Sequence, residues 1–178
     1  PMPESSCRTD RLRPLAIAVL TVSDTRTAAG DQSGALLVER LQDAGHQLVA
    51  RALEPDDLYR LRARVSQWIA DAAVEVVLVT GGTGPTGRDR TPEALRPLLD
   101  KELEGFGELF RQLSYQEIGT AAVFSRALAG VANGTLVVAL PGSPGACRTA
   151  WDGILAGQLD SRRGHCNYVA LMPRLTET

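Results

Sequence analysis

Hydrophobic and polar positions along this chain alternate between two periods. The run "LAIAVLTVSD", Leu15 to Asp24, is almost continuously apolar and β-branched before it turns polar at Ser23, which predicts a strand buried on both faces. A second apolar stretch, 46–53, ends in Glu54-Pro55-Asp56-Asp57, and a third, Val74 to Thr80, runs into "GGTGPTG". Between them the period lengthens to that of a helix. Ser33 to Ala44 carries Leu37 and Leu41 one turn apart and stops at Gly45, while Leu58, Leu61, Val65, Trp68 and Ile69 fall on one helical stripe. Strand, helix, strand, helix, strand predicts right-handed βαβ units.

Further along, Thr91 reads as an N-cap with Pro92 at the first helical position, and Pro97 must interrupt or restart that helix. Phe106, Leu109, Phe110 and Leu113 predict another amphipathic helix. Asn133-Gly134 between apolar runs is a hairpin signal, so an antiparallel pair is expected there. The strand from Leu136 to Leu140 then enters "PGSPGA", where Ser143 caps and Pro144 opens a helix with Cys147, Trp151, Ile154 and Leu155 on one face. The fold class that follows is three-layer α/β/α with a mostly parallel sheet plus an antiparallel hairpin. Residues 1–14 are expected to be a loose arm, 15–168 the domain, and 169–178 a C-terminal tail.

Composition narrows the chemistry. A chain of 178 residues is enough for one core. A single lysine, Lys101, and two histidines, His46 and His165, leave little material for Schiff-base, His-metal or Ser-His-Asp chemistry. Neither histidine has an obvious partner. Net charge is −2 from 19 basic and 21 acidic residues, so a nucleic-acid partner is not expected. No apolar run approaches the ~20 residues that span a bilayer, and the N-terminal residues lack the apolar stretch of a secretion signal. Cys7, Cys147 and Cys166 are odd in number and without C-x-x-C spacing, which points to a reducing compartment; a cytoplasmic location is expected. Cys147 reads as core.

The unusual residues all follow strands. Ser23-Asp24, Pro55-Asp56-Asp57, Thr80 to Asp89 and Pro141-Gly142-Ser143 should gather at one sheet edge, where open α/β folds bind ligands. In "TGGTGPTGRD" the glycines Gly81, Gly82, Gly84 and Gly87 permit positive φ and close backbone approach, which suits a phosphate loop. No Lys-Ser/Thr pair follows, so it is not a Walker loop. The literal G-x-G-x-x-G at Gly82, Gly84 and Gly87 contains Pro85 and follows the third strand, against a nicotinamide site. Arg88 can hold phosphate oxygens, and Asp89 with Asp56 can supply the carboxylates that hold Mg²⁺ beside substrate phosphates. Ser125-Arg126 is a further anion contact to consider. Such a set suits metal-assisted phosphoryl or nucleotidyl transfer.

In this order the motifs resemble the molybdopterin-binding family of molybdenum cofactor biosynthesis, the small MoaB/MogA proteins. The residues that carry the resemblance are "TVSDTR" at Thr21 to Arg26, "EPDD" at Glu54 to Asp57, "TGGTGPTGRDRTPEA" at Thr80 to Ala94, "GFGELFRQLS" at Gly105 to Ser114, the run from Ser125 to Trp151, and "HCN" at His165 to Asn167. The run from Gly105 to Trp151 is similar to the B branch more than to the MogA branch. The resemblance implies a homo-oligomer, a trimer or a dimer of trimers. It also implies adenylylation of molybdopterin by MgATP, with release of pyrophosphate. It places catalytic aspartates at Asp56 and Asp89, also the Mg²⁺ ligands. Ligand-binding loops fall at Ser23-Asp24, at Thr80, Gly81, Gly82, Thr83 and Gly84, and at Pro141, Gly142, Ser143 and Pro144. Whether Asp56 or its neighbour Asp57 is the metal ligand stays open. So does the alternative of a non-catalytic molybdopterin carrier or assembly protein.

Overall fold

A computed structural model describes residues 11–163 and 166–177; Cys7 and His165 lie outside them. Six strands form one sheet in the order β2-β1-β3-β6-β5-β4. The strands are β1 (Ala16–Val22), β2 (Gln47–Glu54), β3 (Val76–Thr80), β4 (Lys101–Glu102), β5 (Leu128–Ala132) and β6 (Thr135–Leu140). The first three and β6 are parallel, and β5 and β4 add antiparallel pairs. The sheet is thus parallel at its centre with a hairpin, as the sequence predicts, and β4 is an addition too short to leave a sequence period.

The interior strands sort their side chains onto two faces. Ile17, Val19, Val76, Leu78, Leu136 and Val138 pack under α1 (Gln32–Asp43), α4 (Glu104–Ile118) and α5 (Pro144–Ala150). Ala18, Leu20, Val77, Val79, Val137 and Ala139 pack under α2 (Leu58–Ala70) and α3 (Thr91–Leu95). Helices therefore cover both faces, which is why these strands carry almost no polar residue. Each wholly buried Val or Leu contributes about 1.5–3 kcal/mol relative to exposure. By contrast β2 is an edge strand and alternates exposed with half-buried positions.

Several local expectations are met. Leu37 and Leu41, and Leu61, Val65 and Trp68, are the buried stripes of α1 and α2. Pro97 ends α3, and the chain restarts as a 3-10 turn at Arg96–Leu98. Ser143 caps α5, its Oγ accepting from the Ala146 amide at 3.2 Å, with Pro144 in the first turn. After α5 the helix widens into a π turn at Trp151–Leu155 and closes as α6 (Ala156–Gln158). Cys147, Trp151, Ile154 and Leu155 are all buried there. Thr91 differs from expectation. It lies inside α3, and its hydroxyl donates instead to the Gly81 carbonyl at 2.8 Å.

His46 does have partners. Its Nδ1 accepts from the Leu15 amide at 3.2 Å, and its ring meets Trp151 edge-on. Burial pushes its pKa below the ordinary value, so it sits as a neutral acceptor. The described part of the N-terminal arm is fastened rather than loose. Arg13 pairs with Glu75 at 2.5 Å, and its amide donates to the Ser161 hydroxyl at 2.8 Å. At the other end, α7 (Tyr168–Leu171) buries Tyr168 and Val169, and Met172 and Leu175 rest on the same core. Among the described residues no helix is long and apolar enough to cross a membrane.

The hairpin turn supplies a direct test of the local reading. Asn133 and Gly134 both have positive φ, 48° and 79°, the type I′ geometry that matches strand twist. Gly134→Ala should cost about 1–2 kcal/mol, because a Cβ is disfavoured in the left-handed region. The expected result is a lower urea midpoint with an unchanged slope.

Candidate active site

The parallel strands end level. Thr21 of β1 lies beside Thr80 of β3, and Thr80 beside Leu140 of β6, so the loops after them start from one line. The chain runs from β1 to β2 on one side and then crosses to β3 on the other, so the sheet order switches beside β1. Ligands of open α/β sheets bind at such points. A crevice of about 470 Å³ opens there, lined on one side by Ser23, Gly81 to Gly84, Asp89 and Pro141 to Ser143. The opposite wall is Phe110, Ser114 and Ile118 of α4, with Phe124 and Ser125 beyond it.

Of the residues singled out from sequence, Ser23, Gly81, Gly82, Thr83, Gly84, Asp89, Ser125, Pro141, Gly142 and Ser143 line this crevice. Thr80 does not reach it. It is wholly buried, donates to the Pro141 carbonyl at 2.9 Å and lies 3.2 Å from the Cys147 sulfur. Its role is to tie the loop after β6 to the end of β3. Cys147 is core as expected, and burial pushes its thiol up to about 11. Pro144 belongs to the helix start. Arg126 does not line this crevice; it donates to the carbonyls of Gly84 and Asp89 and pairs with Glu93, where the sequence suggested an anion contact.

The glycines serve a purpose beyond close approach to a ligand. Gly81 has φ +111°, and a Cβ there would run into the Val22 carbonyl. A Cβ on Gly82 would strike the Asp56 carboxylate and the Thr91 hydroxyl; one on Gly84 would lie 2.7 Å from Asp89 Oδ2. The glycine loop thus makes room for two carboxylates, Asp56 against Gly82 and Asp89 against Gly84. Gly87 meets nothing within 4 Å.

The structure separates Asp56 from Asp57. Asp57 is the N-cap of α2, its Oδ1 accepting from the amides of Tyr59 and Arg60 at 3.0 and 2.9 Å. Asp56 instead turns toward the glycine loop and accepts from the Arg90 amide at 3.1 Å. Burial, with added repulsion from Asp24 and Asp89, pushes the Asp56 carboxyl up to about 6. Asp24 moves the other way. It accepts the Asp56 amide at 3.0 Å and pairs with Arg88, and both hold its carboxyl below the usual range. Asp89 Oδ2 accepts from the Thr86 amide and hydroxyl at 2.9 and 2.6 Å.

Two features escaped the sequence reading. Arg26 donates to the Ser33 hydroxyl at 2.9 Å and to the Gly142 carbonyl at 2.8 Å, joining α1 to the loop after β6. A contact across 116 residues leaves no local pattern. The wall from α4 was readable only as an amphipathic helix; that Ile118 and Phe124 flank the crevice depends on how α4 crosses the sheet.

Hard carboxylate oxygens in a desolvated, like-charged setting fit a divalent cation. Among the described residues no group of three or more His, Cys, Asp or Glu could hold a metal ion, so a cation here would draw its other ligands from substrate and water.

The raised carboxyl makes a stability prediction. A proton on Asp56 is favoured in the folded state, so its favourable contribution is complete below pH 4 and is lost as pH rises through about 6. Replacing it by Asn should therefore stabilise the metal-free protein at pH 8, by about 1 kcal/mol after allowance for solvent screening. That is ~2–4 °C in Tm, shrinking toward zero near pH 4; an equal gain at both pH values would contradict the assignment.

Known proteins resemble this chain in both sequence and structure. The family model for a probable molybdopterin binding domain matches residues 18–161. Molybdenum cofactor biosynthesis protein B of Escherichia coli (strain K12) is 56% identical over 155 residues, which is 87% of this chain and 91% of that one. A crystal structure of a molybdenum cofactor biosynthesis protein B superposes with a TM-score of 0.80 at 43% identity, covering 83% of this chain and 92% of the other. The tungsten cofactor synthesizing protein MoaB from Pyrococcus furiosus gives 0.73 at 38% identity, over 82% and 92% of the two chains. The crevice at the sheet switch point, the paired aspartates and the glycine loop are thus held by a chain that belongs to the MoaB/MogA family of molybdenum cofactor biosynthesis.

Proposed function

We propose that this protein binds molybdopterin in the crevice and adenylylates it with ATP. The observation that carries the reading is that Asp56 and Asp89 are each seated against a glycine of one loop, Asp89 in the crevice lining and Asp56 just outside it, at a site whose lining has no Cys, His or Lys. Adenylyl transfer needs none. An oxygen of the pterin's terminal phosphate forms a bond to the α-phosphorus of ATP. The bond from that phosphorus to the bridging oxygen breaks, and pyrophosphate leaves with the electron pair. The work left to the protein is positioning and neutralisation of charge.

The loops divide that work. The backbone of Gly81 to Gly84 and the loop Pro141 to Ser143 form the floor on which phosphate groups rest. Phe110, Ile118 and Phe124 offer an apolar wall to a planar ring. Arg88, largely exposed and paired with Asp24, is the mobile cation able to turn toward phosphate oxygens. Asp56 and Asp89 are the residues that would hold Mg²⁺, which when bound neutralises charge on the nucleotide phosphates.

A pterin carrier without chemistry is the second reading. It is favoured by the two bonds that Thr86 gives Asp89 Oδ2, which occupy one of the two carboxylate oxygens a cation could use. The two readings part on pyrophosphate. Wild-type protein with molybdopterin, Mg²⁺ and ATP should release it, and Asp89→Asn should lower turnover by at least about a hundredfold while the pterin dissociation constant moves less than about threefold. Tight pterin binding without pyrophosphate release would leave the carrier reading standing.

The protein is also proposed to act as a homo-oligomer, a trimer or a dimer of trimers. Tyr115 of α4 and Val123 in the 3-10 segment after it (Gly119–Phe124), both outside the crevice lining, are 60% and 73% exposed, an apolar strip costly to leave in water. Val123→Asp should yield a smaller species by light scattering; an unchanged mass would exclude this strip as the contact.

A further inference from the structure

We infer that Arg126 is a positioning residue that holds the Asp89 loop against the sheet, and not a ligand of the substrate; the inference rests on the adenylyl-transfer reading of the site. The residue stands just before β5, and its bonds all go to one excursion of the chain. Its amide donates to the Thr83 carbonyl at 3.1 Å, its Nε to Gly84 O at 2.9 Å and its Nη2 to Asp89 O at 2.8 Å, while Nη1 pairs with the Glu93 carboxylate. Both ends of the loop are thereby clamped by a single planar fork, which a flexible ammonium does not reproduce.

Other bonds fix the excursion only at its base and its return, where Thr91 holds the carbonyls of Gly81 and Gly82 and the Arg90 amide donates to Asp56 at 3.1 Å. The Asp89 amide to Thr86 O bond, and the two bonds from Thr86 to the Asp89 carboxylate, lie inside the loop and travel with it. The link from Arg88 to Asp24 is exposed, its arginine side chain at 78%. Arg126 is different in kind, since its side chain is only 29% exposed and the β5 strand behind it is buried throughout. Its charge is also already compensated. Burial alone would raise the Glu93 carboxyl, yet the guanidinium outweighs burial and holds it below the ordinary value. An arginine outside the crevice lining, forked onto two carbonyls and paired with an acid, is a brace. Asp89 touches the chemistry; Arg126 acts through it.

The test compares wild type, Arg126→Lys and Glu93→Gln by amide hydrogen exchange of residues 84–90 without ligand, and by kcat and KM for pyrophosphate release. Arg126→Lys should speed exchange in that loop by about tenfold or more, with β3 and α1 unchanged. It should lower kcat by about a hundredfold, with KM for pterin and ATP within about threefold. Glu93→Gln, which spares the carbonyl bonds, should shift both readouts in the same direction by less and serves if the lysine variant does not fold. Unaltered loop exchange in the variants, or a loss confined to KM, overturns the inference. Absence of pyrophosphate release by wild type would defeat the adenylyl-transfer reading alone, and the exchange comparison would still decide whether Arg126 holds the loop.

Discussion

At the end of β3 the backbone of Gly81 is enclosed on two sides. Its amide donates to the Leu140 carbonyl at 2.9 Å, a Cβ on it would collide with the Val22 carbonyl, and a Cβ on Gly142 would lie 3.1 Å from its Cα. Three neighbouring strands therefore close on a point that admits no side chain, and with φ at +111° the chain leaves that point in a direction that L-residues rarely adopt. Gly82, at φ +65°, continues the turn, and Thr91 binds the carbonyls of both glycines to bring the excursion home. The loop is thus pinned at its base by the sheet, at its return by Thr91 and along its length by Arg126. The position of Asp89 follows from those three anchors.

The same edge shows how neighbouring carboxylates acquire different properties. Asp24 receives a backbone amide and an arginine, which hold its carboxyl below the usual range; Asp57 gives its Oδ1 to the first turn of α2; Asp56 is sunk against Gly82 with acids around it and keeps its proton up to about pH 6. A position where ionisation is costly in the free protein is also where a cation gains most, since it removes desolvation and repulsion together. Buried pairs elsewhere do a different job. Asp31 caps α1 through the Gly34 amide and accepts from Thr21 and Arg51; burial would raise its carboxyl, but these bonds outweigh burial and lower it. That network stabilises the junction of α1, β1 and β2 and has no opening to the crevice.

Much of the fold was legible because its signals are local. A strand covered on both faces must be apolar throughout, as Ile17 to Leu20 and Val76 to Val79 are. A type I′ turn needs two residues tolerant of positive φ, and Asn133-Gly134 are the pair. The candidate site was legible in outline, because loops after parallel strands must meet at one edge. Its inner assignments were not. Thr80 carries the same hydroxyl whether it meets a ligand or the Pro141 carbonyl, and Arg126 the same guanidinium whether it holds a phosphate or two peptide oxygens.

By itself, then, the order of residues determined the βαβ alternation, the hairpin, the caps and the gathering of Ser23, Asp56, Asp89 and Gly142 near one edge, since each depends on contacts within a few residues or on the handedness of a crossover. Only the tertiary structure decided which acid of the Asp56-Asp57 pair faces the glycine loop, what the glycines make room for, and that Arg126 binds backbone carbonyls while Arg88 stays exposed beside Asp24. Those outcomes depend on partners tens of residues away and on whether a polar group is left in water or surrounded by protein, and neither is written in any one stretch of the chain.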